Sequence, residues 1–138
     1  MAVTRRHGQH GALYVDISTG ANGSAVLLQT IADSKRSFTT ATEDVTSYPD
    51  ANHVYVAGKP DGAATYTGFL DTSSDMLWYP SQDGAPRKFY DYVDTVNDAT
   101  KYWFGTGIFD FAVEQDVAGS VKITTNMKPA SAIVRTWV

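Results

Sequence analysis

Three histidines, His7, His10 and His53, are the side chains best suited to move a proton or hold a metal near neutral pH. His7 and His10 stand three apart in a polar N-terminal stretch with no third ligand close by, so they read as part of a solvated arm. His53 opens a strand-like segment and reads as a rim residue. No serine has the nucleophile-elbow context. The run Gly20 to Gly23 lacks the lysine and hydroxyl residue of a phosphate-binding loop and reads as a hairpin turn. Asp91, Asp94 and Asp98 supply oxygen atoms that suit calcium. They lack the EF-hand spacing and its closing glutamate, and read as a turn with solvated acids. Trp78, Trp103 and Trp137, with many tyrosines, have the faces on which a sugar or base would stack. Such rings bury much area at little entropic cost, so core or subunit-interface packing suits them better. With no cysteine there is no thiolate chemistry. No constellation points to catalysis; the expectation is a protein that is not an enzyme and holds no metal or cofactor.

The elements that carry these residues read as β-structure. Leucine is scarce while Thr, Val and Tyr are plentiful, a set that fits a pleated sheet. Ala12 to Ser18 alternates, with Leu13, Val15 and Ile17 on one face and Tyr14, Asp16 and Ser18 on the other. Gly20, Asn22 and Gly23 turn the chain into a second candidate strand, Ser24 to Thr30, which reads equally as a short helix. Residues 33–52 are polar and rich in Thr, Asp and Ser. Apart from a possible strand at Ser37 to Thr42 they read as a long loop, and loops of that length usually meet a partner. His53 to Ala57 reads as a strand, Gly58 to Gly62 as a tight turn, and Ala64 to Phe69 as the hairpin partner. Thr72 to Tyr79 is the helix candidate, because Thr72 and Asp75 have capping-box spacing and Pro80 stops the run. Strands follow at Lys88 to Val96, at Tyr102 to Glu114 (kinked near Gly105 and Gly107), at Ser120 to Thr125 and at Ala132 to Val138. Roughly eight short strands and one short helix suggest a sandwich or barrel.

Composition narrows the function further. The formal charge is −4, and the basic residues are scattered or paired, as in Arg5–Arg6, Lys35–Arg36 and Arg87–Lys88. Without a basic stripe, specific duplex binding is disfavoured, since it needs cations that displace counterions from phosphates. No stretch is apolar and long enough to span a bilayer, and the N-terminus lacks the apolar core of a signal peptide. The expectation is one β domain over residues 12–138, preceded by a flexible arm over residues 1–11, made in the cytoplasm and with no membrane binding.

One stretch carries more. Thr42 to Asp71 reads TEDVTSYPDANHVYVAGKPDGAATYTGFLD. Its Asp44–Val45–Thr46 element, its loop, its apolar strand at Val54 to Ala57 and its Gly68-to-Asp71 close resemble, in order and spacing, the tail tube proteins of long-tailed bacteriophages. The later run YWFGTGIFDFAVEQDVAGSVKITTNMKPASAIVR is similar to that family's closing segment. The resemblance covers the chain from about Ser37 onward. It implies a mainly β fold of two packed antiparallel sheets, sandwich or barrel, with one short flanking helix. It also implies a virion subunit of a noncontractile, siphovirus-type tail: stacked rings of six copies whose sheets join around a lumen. The polar stretch would then reach the next ring, with Phe38, Asp44, Val45, Thr46 and Tyr48 as the inter-ring candidates. Further implied partners are a tape measure protein in the lumen, tail terminator and tail tip proteins, and DNA in transient, non-specific passage past an Asp-lined wall. Other readings are a capsid decoration protein, a head-to-tail joining protein, or a ligand-binding β domain whose aromatics converge on one exposed concave face.

Overall fold

The computed structural model describes residues 8–137. His7 and the residues before it, Arg5 and Arg6 among them, lie outside that range; Gly8–His10 forms one turn of 3-10 helix. Nine strands follow, all antiparallel to their neighbours: β1 (Ala12–Val15), β2 (Val26–Leu27), β3 (Ile31–Asp44), β4 (Tyr55–Phe69), β5 (Arg87–Tyr92), β6 (Tyr102–Phe109), β7 (Ala112–Glu114), β8 (Lys122–Pro129) and β9 (Val134–Arg135). One short helix, α1 (Trp78–Asp83), stands between β4 and β5.

The strands hydrogen-bond in the order β2-β1-β5-β6-β8-β4-β3, with β7 beside β8 and β9 beside β6. In a flat sheet β3 and β5 would lie roughly 19 Å apart, at the usual spacing between strands. Yet the Arg36 guanidinium of β3 grips the Asp91 carboxylate of β5. The sheet is therefore folded on itself. The β2-β1-β5-β6 half faces the β8-β4-β3 half, and the expected two-layer antiparallel architecture is present. Leu13, Val15 and Phe89 from one layer meet Ala64, Tyr66 and Met127 from the other, with Leu28, Leu77 and Phe109 completing the core.

Period-two patterning held where strands are half-buried. Leu13 and Val15 point inward from β1, and Arg87, Phe89 and Asp91 from β5. Three expectations are corrected. Residues 33–52 are not mainly loop: β3 runs through Asp44, and only the connection to Tyr55 is irregular. Gly58 to Gly62 is no turn, and Ala64 to Phe69 is no hairpin partner, because β4 runs unbroken from Tyr55 to Phe69 and pairs with β3 on both sides of a register shift at residues 58–59. Pairing with a distant strand overrides local turn preference here. Pro60 sits where β8 no longer pairs with β4, beside a register shift between Thr40 and Thr42, and bulges and edges tolerate proline. Thirdly, the helix begins at Trp78 rather than Thr72. Asp71 accepts from the Ser73 amide (3.0 Å) and hydroxyl (2.6 Å), a local turn that competes with helix. Pro80 falls in the first turn, where no amide proton is needed, and Gly84 ends the helix at φ 64°.

Smaller differences concern the second half. The run Tyr102 to Glu114 breaks at Asp110–Phe111 into β6 and β7, and only Val134–Arg135 of the last expected strand pairs. The register of β6 on β5 is unbroken through Gly105 and Gly107. These glycines serve close approach instead: a Cβ on Gly107 would lie 2.7 Å from Met127 Sδ. Gly68 is tighter, since a Cβ there would lie 2.2 Å from the Thr30 carbonyl oxygen, which is backbone and cannot swing away. Gly68→Ala is expected to destabilise the fold by about 2–3 kcal/mol through forced separation of β3 and β4. A urea midpoint within error of the parent would refute that.

Candidate functional site

Among the described residues, no three His, Asp or Glu side chains are grouped to hold a metal ion. The acids of the 91–98 segment go separate ways. Asp91 is not solvated but 2 % exposed. Asp94 caps its own turn, accepting from the Val96 and Asn97 amides (2.9 and 3.0 Å) and from the Asn97 side chain (2.9 Å). Those bonds, led by Asn97, hold its pKa down to about 2. Asp16, expected on the outer face, is buried and accepts from the Ser18 amide and hydroxyl.

Between the two layers lies a polar clamp. Both Asp91 carboxylate oxygens take the Arg36 guanidinium in a bidentate fork, and Asp91 Oδ2 also accepts from the Tyr66 hydroxyl at 2.8 Å. Arg36 further lies 5.2 Å over the Trp103 ring, and Phe38 packs 5.6 Å from the same ring. The clamp ties β3 and β4 to β5 and β6 at the base of the long hairpin. Arg87, a fully buried cation, bonds the Ser18 carbonyl and the Asp83 carboxylate, fixing α1 and the 16–23 turn to β5.

Burial and the Asp91 charge push the Tyr66 pKa well above the ordinary phenol value. An unfolded chain releases that proton near pH 10, whereas the folded chain keeps it. The contribution is therefore full below pH 10 and lost as pH rises further, by up to about 1.4 kcal/mol per pH unit. Tyr66→Phe is expected to flatten the fall of stability between pH 10 and 11; parallel urea-derived profiles for variant and parent would contradict this.

Beyond Ala64, pairing with β8 stops and residues 55–63 of β4 pair only with β3. The two strands leave the body as a ribbon roughly 30 Å long at strand rise. From Ser37 to Gly58 every residue is exposed, including Phe38, Val45, Tyr48, Val54, Tyr55 and Val56. A two-stranded ribbon without a covered face is marginal alone. The inter-ring candidates divide along it. Phe38 and Asp44 stand in β3, Phe38 at the root against Trp103 and Asp44 at the far end; Val45, Thr46 and Tyr48 lie in the tip loop. That loop is internally bonded. Asp44 accepts from the Thr46 amide (2.9 Å) and hydroxyl and lies 3.0 Å from His53 Nδ1, Thr46 Oγ1 accepts from the Val54 amide (2.8 Å), and Asp50 accepts from the Ser47 amide (2.7 Å). The Thr46 bonds hold the Asp44 pKa below its ordinary value. Tyr48 is 104 % exposed at the tip.

The outer faces of the two layers differ in chemistry. On the β2-β1-β5-β6 layer, registers align Leu27, Tyr14, Tyr90, Phe104 and Val134 in a row across five strands. Tyr92 and Tyr102 form the next row, with ring centroids 4.7 Å apart. Tyr14, Tyr90, Tyr92 and Tyr102 line an open depression of ≈ 430 Å³ together with Ser24, Ala25 and Lys88. On the β3-β4-β8 layer the outer face is short and wet. Lys35, Thr65 and Asn126 align, as do Asp33, Thr67 and Thr124, and Thr65 Oγ1 donates to Asn126 Oδ1 at 2.8 Å. The aromatic face was not singled out from the sequence as a surface. Its signal was there in outward Tyr14, Tyr90 and Tyr92 alternating with buried neighbours; what was missing was the register that lines up three strands.

No family model and no curated protein sequence matches the chain. Solved structures do. The chain aligns over 96 % of its length with all of a chain from the virion of a native gene transfer agent particle, at TM-score 0.75 and 16 % identity. It aligns equally far with a chain from the tail of an empty gene transfer agent particle of C6 symmetry, at TM-score 0.72 and 16 % identity. A third match is the SPP1 tail tube, at TM-score 0.72 and 17 % identity, covering 96 % of this chain and 79 % of that one. At these TM-scores the chain shares its fold with the chains of these particles, the SPP1 tail tube among them.

Proposed function

We propose that this chain is the repeating subunit of a virion tail tube, with rings of six copies stacked around a lumen through which DNA passes from capsid to cell. The hairpin ribbon carries the reading. A monomer gains little from a ribbon roughly 30 Å long in which every residue from Ser37 to Gly58 is exposed. A subunit that must bridge to the next copy needs one. β3 also leaves a long strand edge open at the end of the sheet, and joining edges between copies satisfies such backbone groups. The C6 symmetry of a matching tail supports the ring number.

In this reading the wet outer face of β3, β4 and β8 lines the lumen. Threonines and a balance of Asp33 and Asp61 against Lys35 and Lys122 keep it hydrated, with Phe69 at its margin as the one exposed ring beside Lys122. Non-stick passage then rests on hydration more than on an excess of aspartate. A tape measure protein occupies that lumen before DNA, and terminator and tip proteins close the tube ends. The fold lends support to the structural reading over an enzymatic one.

Electron microscopy of the purified chain across a concentration series tests this. Hollow tubes with six-fold end views are expected, and a reconstruction should place Thr65 and Asn126 on the inner wall. Single rings that never stack would overturn the tube in favour of a joining protein. An inward aromatic face would overturn the lumen assignment.

A further inference from the structure

The aromatic face needs a cover. Antiparallel sheets with one solvated side carry polar residues on it, and this outer face instead carries Leu27, Tyr14, Tyr90, Phe104 and Val134 in one continuous row. It is not built like a small-ligand site. Such sites are concave, with several polar groups converging on the ligand. Here the depression is open and Lys88 is its one charged group. The rings also pack on one another, Tyr14 edge-on to Tyr92 at 5.4 Å and Tyr90 edge-on to Tyr102 at 5.7 Å, which makes a patch more than a slot.

The same chain carries a second unpartnered surface with matching chemistry. The tip of the ribbon presents Tyr48, Val45 and Val54 together with the acids Glu43, Asp44 and Asp50. The patch presents tyrosines with Lys88 at its rim, and Lys101 is exposed just before β6. Apolar groups meet apolar groups, and acid meets base. The ribbon springs from the β3-β4 layer and the patch lies on the opposite layer, so the two surfaces sit on different sides of the molecule and both are available at once. A contact between two different surfaces of identical subunits is heterologous and propagates from copy to copy.

We infer that the ribbon tip of one copy seats on the Tyr14–Tyr90–Tyr92–Tyr102 face of an adjacent copy, with Tyr48 in the depression and the tip acids beside Lys88. This rests on the tube reading for its assembly context but names both surfaces of the contact. Tyrosine is well suited to the role, since it buries large area with few rotatable bonds to freeze.

The absence of cysteine makes the test clean. Ala51→Cys places a thiol on the tip loop and Ser24→Cys places one at the rim of the depression; both positions are exposed. A chain carrying both, oxidised in the assembled state and run under denaturing conditions, is expected to give a ladder of covalent oligomers to hexamer and beyond. Each single variant should give dimers at most. Tyr48→Ala and Tyr90→Ala should each raise the concentration needed for assembly by at least tenfold, and the double variant by less than the product. Tubes that form without a ladder would overturn this contact and leave the tube reading intact. A ladder without tubes would keep the contact and overturn the tube. Monomers with no ladder at any concentration, or a soluble oligosaccharide saturating the patch of such monomers, would overturn both.

Discussion

Asp91→Ala is expected to cost the folded chain about 3–5 kcal/mol, the range for removing one partner of a buried ion pair. The loss is large because the partner stays behind. Arg36 would keep its charge within a half-buried site, and the Tyr66 hydroxyl, fully buried, would lose its acceptor. In urea the midpoint should fall by about 2 M at an ordinary slope for this size. The triple replacement Arg36→Met, Tyr66→Phe, Asp91→Leu removes charge and polar group together and should recover much of the loss, since apolar replacement of a buried ion pair is often near neutral. Strictly additive losses would show that the three groups do not act as one clamp. The clamp sits at the root of the ribbon, so the same variants report on how firmly the ribbon is held to the body.

Removing the ribbon is expected to have the opposite profile. Phe38 and Gly62 face each other in register, and an Asn-Gly turn joining them would replace Thr39 to Asp61. The core contacts at the root, Phe38 on Trp103 and Gly62 under Ile133, remain. No described residue between them is buried, so the thermal midpoint should stay within about 5 °C of the parent, a change of about 1–2 kcal/mol. Assembly should be lost outright, with no tubes by electron microscopy at a hundred times the parent's threshold. Tubes built by the shortened chain would remove the ribbon from the assembly and with it the main support for the proposed function. Collapse of the monomer instead would mean that the ribbon, despite its exposure, stabilises the fold.

Local pattern carried part of the fold. A strand half-buried on one face has a period of two that survives in any context, which is why Leu13 and Val15, and Phe89 with its neighbours, were legible. β-branched and aromatic content and the lack of thiols likewise needed no structure to read. The β3-β4 hairpin was not legible. From Ser37 to Gly58 both its faces are wet, so that part has no alternation to detect, and its Gly58-to-Gly62 segment is made of turn formers. Only pairing between Ile31–Asp44 and Tyr55–Phe69 holds those residues extended. The helix moved for a related reason: Thr72 and Asp75 have capping-box spacing, but Asp71 accepts from Ser73 and closes a turn there instead. Asp91 is the sharpest case. Beside Asp94 and Asp98 it resembles a surface acid, and it becomes a buried ligand of Arg36 because the sheet folds back and brings β3 across β5. The sequence by itself determined a β-rich chain and which strands have one apolar side. The tertiary structure decided which residues stand on a common surface, because the registers that build the aromatic row and the clamp join positions tens of residues apart.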